Sequence, residues 1–226
     1  MRRVENLMKL IRQRDYKEIW HMSLAFLPAH LYKFYAIRRD KRYGGIAVNG
    51  RIPSKYKDLG ANGTQSSDYR CMRKVFRTLP LRPDDVFIDV GCGEGRVLTY
   101  LHEKGFRGRE IGIELDADVA KTATKRTAVC DNVTVCCGNA LEQGELFRDA
   151  TAVYMFNPFS RSVFQSFIGM LESVCRKPVR LYYLSSLHVQ ELENRQRWTC
   201  LYSGDVRRPC ARPMPFVIYE LRPDEA

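Results

Sequence analysis

From residue 65 onward, short apolar runs alternate with stretches of helical periodicity, which predicts an α/β fold on a mostly parallel sheet. Two further observations support that class. A glycine-rich turn, Gly91-Cys-Gly-Glu-Gly95, follows the first apolar run directly. The last two β-rich stretches, 197–203 and 216–221, have no helical run between them. Repeated βα units with right-handed crossovers give parallel strands, whereas two strands joined by a loop alone run antiparallel. The expected architecture is therefore a parallel sheet with one reversed strand at its end. An N-terminal helical extension precedes it. The division expected is 1–64 for a basic extension with a linker or lid, and 65–226 for the main domain.

Residues 2–18 read as a polar, charged helix. In residues 19–37 the apolar side chains Trp20, Leu24, Leu27, Leu31 and Phe34 recur at helical spacing, but His21, Pro28, His30 and Lys33 interrupt them. Such a run makes a poor membrane span and a better amphipathic helix or helix pair. It packs on the main domain or a sister chain, or lies on a membrane surface with Arg38, Arg39, Lys41 and Arg42 at the headgroups. Residues 40–64 are turn-rich, with Gly44-Gly45, Asn49-Gly50 and Asn62-Gly63. The expected order then runs helix 67–79, strand Val86–Val90, helix 95–104, strand 110–114, helix 116–129 and strand 132–137. It continues with strand Ala152–Phe156, helix 161–175, strand 179–184, helix 187–194 and the two late strands.

Charge is unevenly placed. The net charge is +11, and residues 1–60 hold 14 Lys/Arg against 5 Asp/Glu. That segment suits nucleic acid, anionic lipid or an acidic partner, or is a solvated basic face. The eight cysteines form no C-x-x-C and no Cys/His cluster of zinc spacing, so no metal is expected. Read as reduced thiols, they point to a cytoplasmic protein. No apolar leader segment follows the basic start.

The strongest local pattern is Val86-Phe-Ile-Asp-Val-Gly-Cys-Gly-Glu-Gly-Arg96. A buried strand ends at Asp89, glycines turn the chain and a helix begins. Gly91, Gly93 and Gly95, with Cys92 between them, let backbone approach a ligand at a helix N-terminus. The spacing is G-x-G-x-G, and Arg96 stands where a dinucleotide loop needs its third glycine. That disfavours NAD and suits the amino-acid end of S-adenosylmethionine, with Asp89 near its ammonium group. Glu114, followed by Leu115, closes the next strand, where it can accept hydrogen bonds from ribose hydroxyls. Asn139 and Ala140 follow the third strand, and the Asn139 amide is placed to read an adenine edge. Tyr154-Met-Phe-Asn157-Pro-Phe159 ends the fourth.

With these pieces in this order, residues 65–221 resemble class I S-adenosylmethionine-dependent methyltransferases. They are especially similar to a bacterial branch with a D-x-G-x-G-x-G-R loop, an F-N-P-F sequence and an upstream tyrosine-containing segment, here Gly63-Thr-Gln-Ser-Ser-Asp-Tyr69. The resemblance implies a Rossmann-like, seven-stranded sheet with a reversed last strand, and cofactor contacts from Gly91, Gly93, Glu114 and Asn139. Many relatives have Asp where this chain has Asn139. Asn157-Pro-Phe159 also resembles the [NDS]-P-P-[FYW] motif of amino-methyltransferases, with one proline missing.

Methyl transfer is an in-line displacement that needs orientation and dryness more than acid–base chemistry. Candidate catalytic residues are Asn157, His188 just beyond the fifth strand, and Tyr69. Candidate acceptor-side residues are Gln65, Tyr69, Pro158 and Phe159. Arg207, Arg208 and Arg212, in the segment joining the last two strands, are placed to hold an anionic acceptor. The leading expectation is a small, perhaps anionic, metabolite as acceptor. Alternatives are RNA or protein docked through the basic N-terminal segment, or a non-catalytic cofactor-binding regulator. Residues 1–40 are expected to close over the acceptor pocket or a partner surface, with cofactor binding surviving their removal. Peripheral membrane contact and oligomeric state stay open.

Overall fold

The computed structural model describes residues 29–45, 48, 50–208 and 211–223. The helix expected at 2–18 and the start of the apolar stretch at 19–37 lie outside them. The first described element is α1, Ala29–Asp40. Two short strands, β1 (Arg51–Ile52) and β2 (Thr64–Gln65), pair as an antiparallel hairpin. Helix α2 (Tyr69–Thr78) follows, started by Asp68, whose side chain accepts from the Arg70 backbone N–H.

The main sheet takes its strands from β3 (Val86–Val90), β4 (Arg109–Glu114), β5 (Val133–Cys137), β6 (Ala152–Phe156), β7 (Val179–Leu184), β8 (Trp198–Arg208) and β9 (Ala211–Leu221). Its order is β5-β4-β3-β6-β7-β9-β8. β3 to β7 are parallel, and β9 runs antiparallel to both β7 and β8. The seven-stranded α/β sheet with a reversed last strand is thus as expected from sequence. Helices α3 (Arg96–Glu103), α4 (Ala117–Thr127) and α5 (Arg161–Val174) make the crossovers, and α6 (Gln190–Glu193) is a single turn.

Central strands are buried on both faces, which is why they read as continuous apolar runs. Successive side chains still alternate between two cores. Phe87, Tyr154, Tyr182 and Phe216 pack with α2 and α3, while Ile88, Val153, Leu181 and Val217 pack with α5. The order of connection reverses between β3 and β6, so the carboxyl ends of those strands flank a crevice.

Two sequence expectations need correction. The helix expected over 187–194 is only α6, because Ser185 sits at φ 54 and the chain turns there. The described residues of the segment 206–215 are strand, not loop. β8 and β9 continue into it from either side, pairing Asp205 with Pro215 and Val206 with Met214. β7 ends at Leu184, so the prolines of β9 lie where it has one neighbour instead of two. Val206 and Met214 are buried in the core beneath α1 and α2.

Candidate active site

The crevice at the carboxyl ends of β3, β4 and β6 is a cleft of about 790 Å³ measured out to its mouth. The glycine turn forms its floor. Gly91 and Gly93 hold φ of 70° and 55°, the left-handed region that side chains disfavour. A Cβ on Gly91 would lie 2.9 Å from Pro158 Cβ, and one on Gly93 2.8 Å from Thr64 Cγ2. Glycine is required at both. Gly95, also left-handed, does not line the cleft. It lets α3 approach α4, where an added Cβ would meet Thr127 and Ala123.

Three carboxylates and amides expected from sequence reach this cleft. Asp89 is 2% exposed, and its Oδ2 has no hydrogen-bond partner. Burial pushes its pKa well up, and the neighbouring Glu114 charge pushes it further. A buried acid in that condition favours an incoming cationic donor. Glu114 accepts from the Gly93 backbone N–H at 2.9 Å and from that of Asp116 at 3.0 Å. It therefore fixes the glycine turn and still lines the cleft. Burial raises its pKa, and those backbone donors pull it back. Asn139 lines the cleft too, but its side chain accepts from Leu141 N and donates to Glu142. It caps a 3₁₀ turn, leaving Ala140 and Leu115 as its neighbours on the wall.

The opposite wall comes from the strap 61–67, most of which sequence reasoning passed over. Asn62 Nδ2 donates to the backbone oxygens of Asn157 and Phe159 at 2.9 and 3.0 Å, and Asn62 N donates to Pro158 O. Ala61 bridges Phe159 as well. The strap is thereby stitched to the chain beyond β6, and Gln65, Ser66, Ser67, Pro158 and Phe159 face one cavity. Gln65 lies in β2, ahead of helix α2. Ser67 and Tyr154 share a 2.7 Å hydrogen bond at the inner end.

Several candidates stand elsewhere. Tyr69 is buried and donates to Asp40 Oδ1 at 2.7 Å, so its hydroxyl does not line the cleft. Burial, reinforced by that carboxylate, holds its pKa far above the tyrosine range's usual value. Asn157 and His188 lie behind the Phe159 wall, joined through Tyr183. Its hydroxyl donates to Asn157 Oδ1 at 2.9 Å and accepts from the His188 backbone N–H at 3.3 Å. Asn157 holds φ 43, which asparagine tolerates better than most residues. Arg207 and Arg212 are exposed on β8 and β9 and do not line the cleft, and the side chain of Arg208 lies outside the described residues.

Arg96 was missed as a site residue, although it stands in the quoted motif. It lines the cleft and ties four segments together. Its Nε and Nη2 donate to Asp40 at 3.1 and 2.6 Å, Nη1 donates to Ser67 O, and Nη2 also meets Val48 O. Nothing in the local sequence reveals Asp40 as its partner 56 residues away.

Residues 88–172 match the family model of a methyltransferase domain. That match runs from the glycine strand through α5, the part of the sheet that builds the cleft floor. Over that stretch the chain carries a methyltransferase domain. None of the curated proteins matches its sequence. Among solved structures, it is similar to an RNA methyltransferase from Salinibacter ruber in complex with S-adenosyl-L-homocysteine, at 20% identity and a TM-score of 0.55. That alignment covers 72% of this chain and 96% of the other. A SAM-dependent methyltransferase from Aquifex aeolicus aligns at 17% identity and a TM-score of 0.58, covering 75% and 98%. Among the described residues, no helix of this methyltransferase is long and apolar enough to cross a membrane.

Proposed function

We propose that this methyltransferase binds the methionine end of S-adenosylmethionine at Asp89 and the glycine turn, and transfers its methyl to an uncharged acceptor group. The acceptor enters between Gln65–Ser67 and Pro158–Phe159. The observation that carries the reading is the buried Asp89 carboxylate, whose unpartnered oxygen awaits a cationic donor beside a glycine-only turn. The cofactor would supply an electrophilic methyl on a sulfonium: as the acceptor–methyl bond forms the sulfur–methyl bond would break, S-adenosylhomocysteine would leave as a neutral thioether, and the acceptor's proton would pass to solvent.

The chain's own residues do the rest. Gly91 and Gly93 admit the ligand to backbone contact. Glu114 holds the turn through Gly93 N and offers its remaining lone pairs to ribose hydroxyls. Pro158 and Phe159 wall off water, with Phe159 held against Phe167 at a 5.3 Å ring separation. A dry, oriented pair of reactants is the main requirement of a displacement of this type. Asn157, tied to Tyr183, positions that wall instead of touching the acceptor.

An anionic acceptor finds little support. Among the described residues, Arg96 is the one cation in the lining, and its donors already serve Asp40, Ser67 and Val48. A small neutral metabolite, or an uncharged group on a larger molecule, suits the amides and hydroxyls of the wall. A regulator without catalysis would bind cofactor and never turn over.

Calorimetry with S-adenosylhomocysteine tests the cofactor half. The parent protein is expected to bind it in preference to NAD, and Gly93→Val to abolish binding, since the new side chain collides with Thr64. Binding unchanged in that variant, or a preference for NAD, would overturn the assignment. Transfer of labelled methyl to any acceptor separates the enzyme from the regulator.

A further inference from the structure

The cleft is poor in cations, yet the surface beside it is crowded with them. Helix α2 carries Arg70, Arg73, Lys74 and Arg77 and no acidic residue. Helix α1 brings Lys33 and Arg38 to the surface, followed by exposed Lys41 and Arg42, while its single acid, Asp40, is buried. Between α1, α2 and α3 runs an open groove lined, among the described residues, by four tyrosines and four cations and no carboxylate. The Arg70 guanidinium lies 3.6 Å over the Tyr32 ring, and Lys104 lies 5.9 Å from the centre of Tyr100. The nearest acids are already engaged, Asp68 with Arg70 and Glu103 with Arg39.

We propose that this face docks the phosphate backbone of a single-stranded RNA, one of whose unpaired bases enters the cleft as the methyl acceptor. The inference rests on the methyl-transfer reading above and adds the substrate class. Three observations carry it. Charge is partitioned: the reacting cavity suits an uncharged group, while the adjoining face suits a polyanion. A small anionic metabolite would bring its charge into the cavity; a polymer leaves it outside. The two sites also share one stretch of chain. Ser66 and Ser67 line the cleft, and Tyr69 and Arg70 line the groove, so the span between them is at most ~11 Å. Finally, tyrosine faces beside guanidinium and ammonium groups suit nucleotides, whose bases stack and whose phosphates pair. An unpaired base suits the walled cleft best, because it leaves its stack without the added cost of breaking a pair.

The test uses the full chain, a labelled short mixed-sequence single-stranded RNA, and fluorescence anisotropy across a salt series. Binding is expected to weaken steeply as salt rises. The triple variant Lys33→Glu, Lys41→Glu, Lys74→Glu changes exposed side chains away from the cleft. It is expected to flatten the log–log salt slope by about two, at ~0.7 per neutralised phosphate, and to leave S-adenosylhomocysteine affinity unchanged. RNA binding by the variant equal to the parent's would overturn the inference. So would a parent that binds S-adenosylhomocysteine but no RNA, or RNA displaced by an equal charge of polyuronate, which would assign the face to an anionic polysaccharide. A parent that binds no S-adenosylhomocysteine would instead sink the methyl-transfer reading itself.

Discussion

Glu110 and Asn132 stand at the amino ends of β4 and β5, opposite the cleft, and each has a buried oxygen with no partner, Oε2 and Oδ1 respectively. Their other atoms meet, Asn132 Nδ2 donating to Glu110 Oε1 at 3.2 Å. A proton on Glu110 would settle both orphans at once, since the acid could donate to Asn132 Oδ1. Burial is the main cause that pushes the Glu110 pKa to about 8. The sign follows from linkage: between about 4.5 and 8 the unfolded chain has lost this proton and the folded chain keeps it. Folding stability contributed by Glu110 is therefore full below the unfolded pKa and declines as pH rises to about 8, by up to ~1.4 kcal/mol per unit. Glu110→Gln, which keeps the donor permanently, is expected to flatten that decline in urea unfolding followed over pH 5 to 8. Identical slopes in the two proteins would show that the carboxyl is ionised in the fold. At this scale the sequence was legible where position alone assigns a role. Asp89 and Glu114 could be picked out because strand ends beside a glycine turn face a ligand. Asn157 could be picked out but not understood, because Tyr183 stands 26 residues away in sequence and meets it only through sheet pairing.

Among elements, the parallel strands and their helices were legible because burial on both faces leaves an apolar run, and helices leave a 3.6-residue period. The β8–β9 hairpin was not fully legible. Pro213 and Pro215 mark a loop in isolation, yet both sit in a strand that lacks a neighbour on one side there. The strap was equally opaque. Residues 60–67 have neither period, and their conformation is set by partners on the far side of the cleft. Asn62 is the clearest of these links, one amide holding two carbonyls of the β6–α5 connection. Asn62→Ala removes both bonds and releases the strap from Pro158 and Phe159. Each net contribution is about 0.5–1.5 kcal/mol, so global stability should change modestly. Acceptor handling should change more. We expect a raised KM and a lower kcat for methyl transfer, with Tm shifted by only a few degrees. A variant with parental kinetics would show that the strap keeps its place without this clamp.

Across the whole molecule, Asp40 joins the N-terminal segment to the methyltransferase domain, meeting Arg126 86 residues further on. It is fully buried and accepts from Arg96, Arg126 and Tyr69, with Arg126 buried as completely. Glu94 lies within electrostatic reach of both guanidiniums, whose charges lower its pKa against a larger rise from burial. Asp40 is nevertheless the carboxylate that bonds them. A basic segment read from sequence as a detachable lid thus contributes the counter-charge for two core arginines. Described residues 29–40 do not line the cleft at all; they brace it from behind, through Arg96. Loss of residues 1–40 is therefore expected to disturb the cofactor cleft as well, because the cut removes Asp40. Breaking a buried ion pair from one side costs about 3–5 kcal/mol, since the partner charge stays buried and unpaired. A domain of ordinary stability has roughly 5–15 kcal/mol in total. Asp40→Asn, which keeps the shape and removes the charge, should therefore lower the urea midpoint sharply without changing the slope of the transition. It should also weaken S-adenosylhomocysteine binding at temperatures where the variant remains folded, because Arg96 then loses its hold on Ser67 and Val48. Arg126→Met in the same background removes one of the two cations that lost the aspartate charge and should recover part of the lost stability. If the double variant is no more stable than Asp40→Asn alone, uncompensated charge is not what the aspartate prevents.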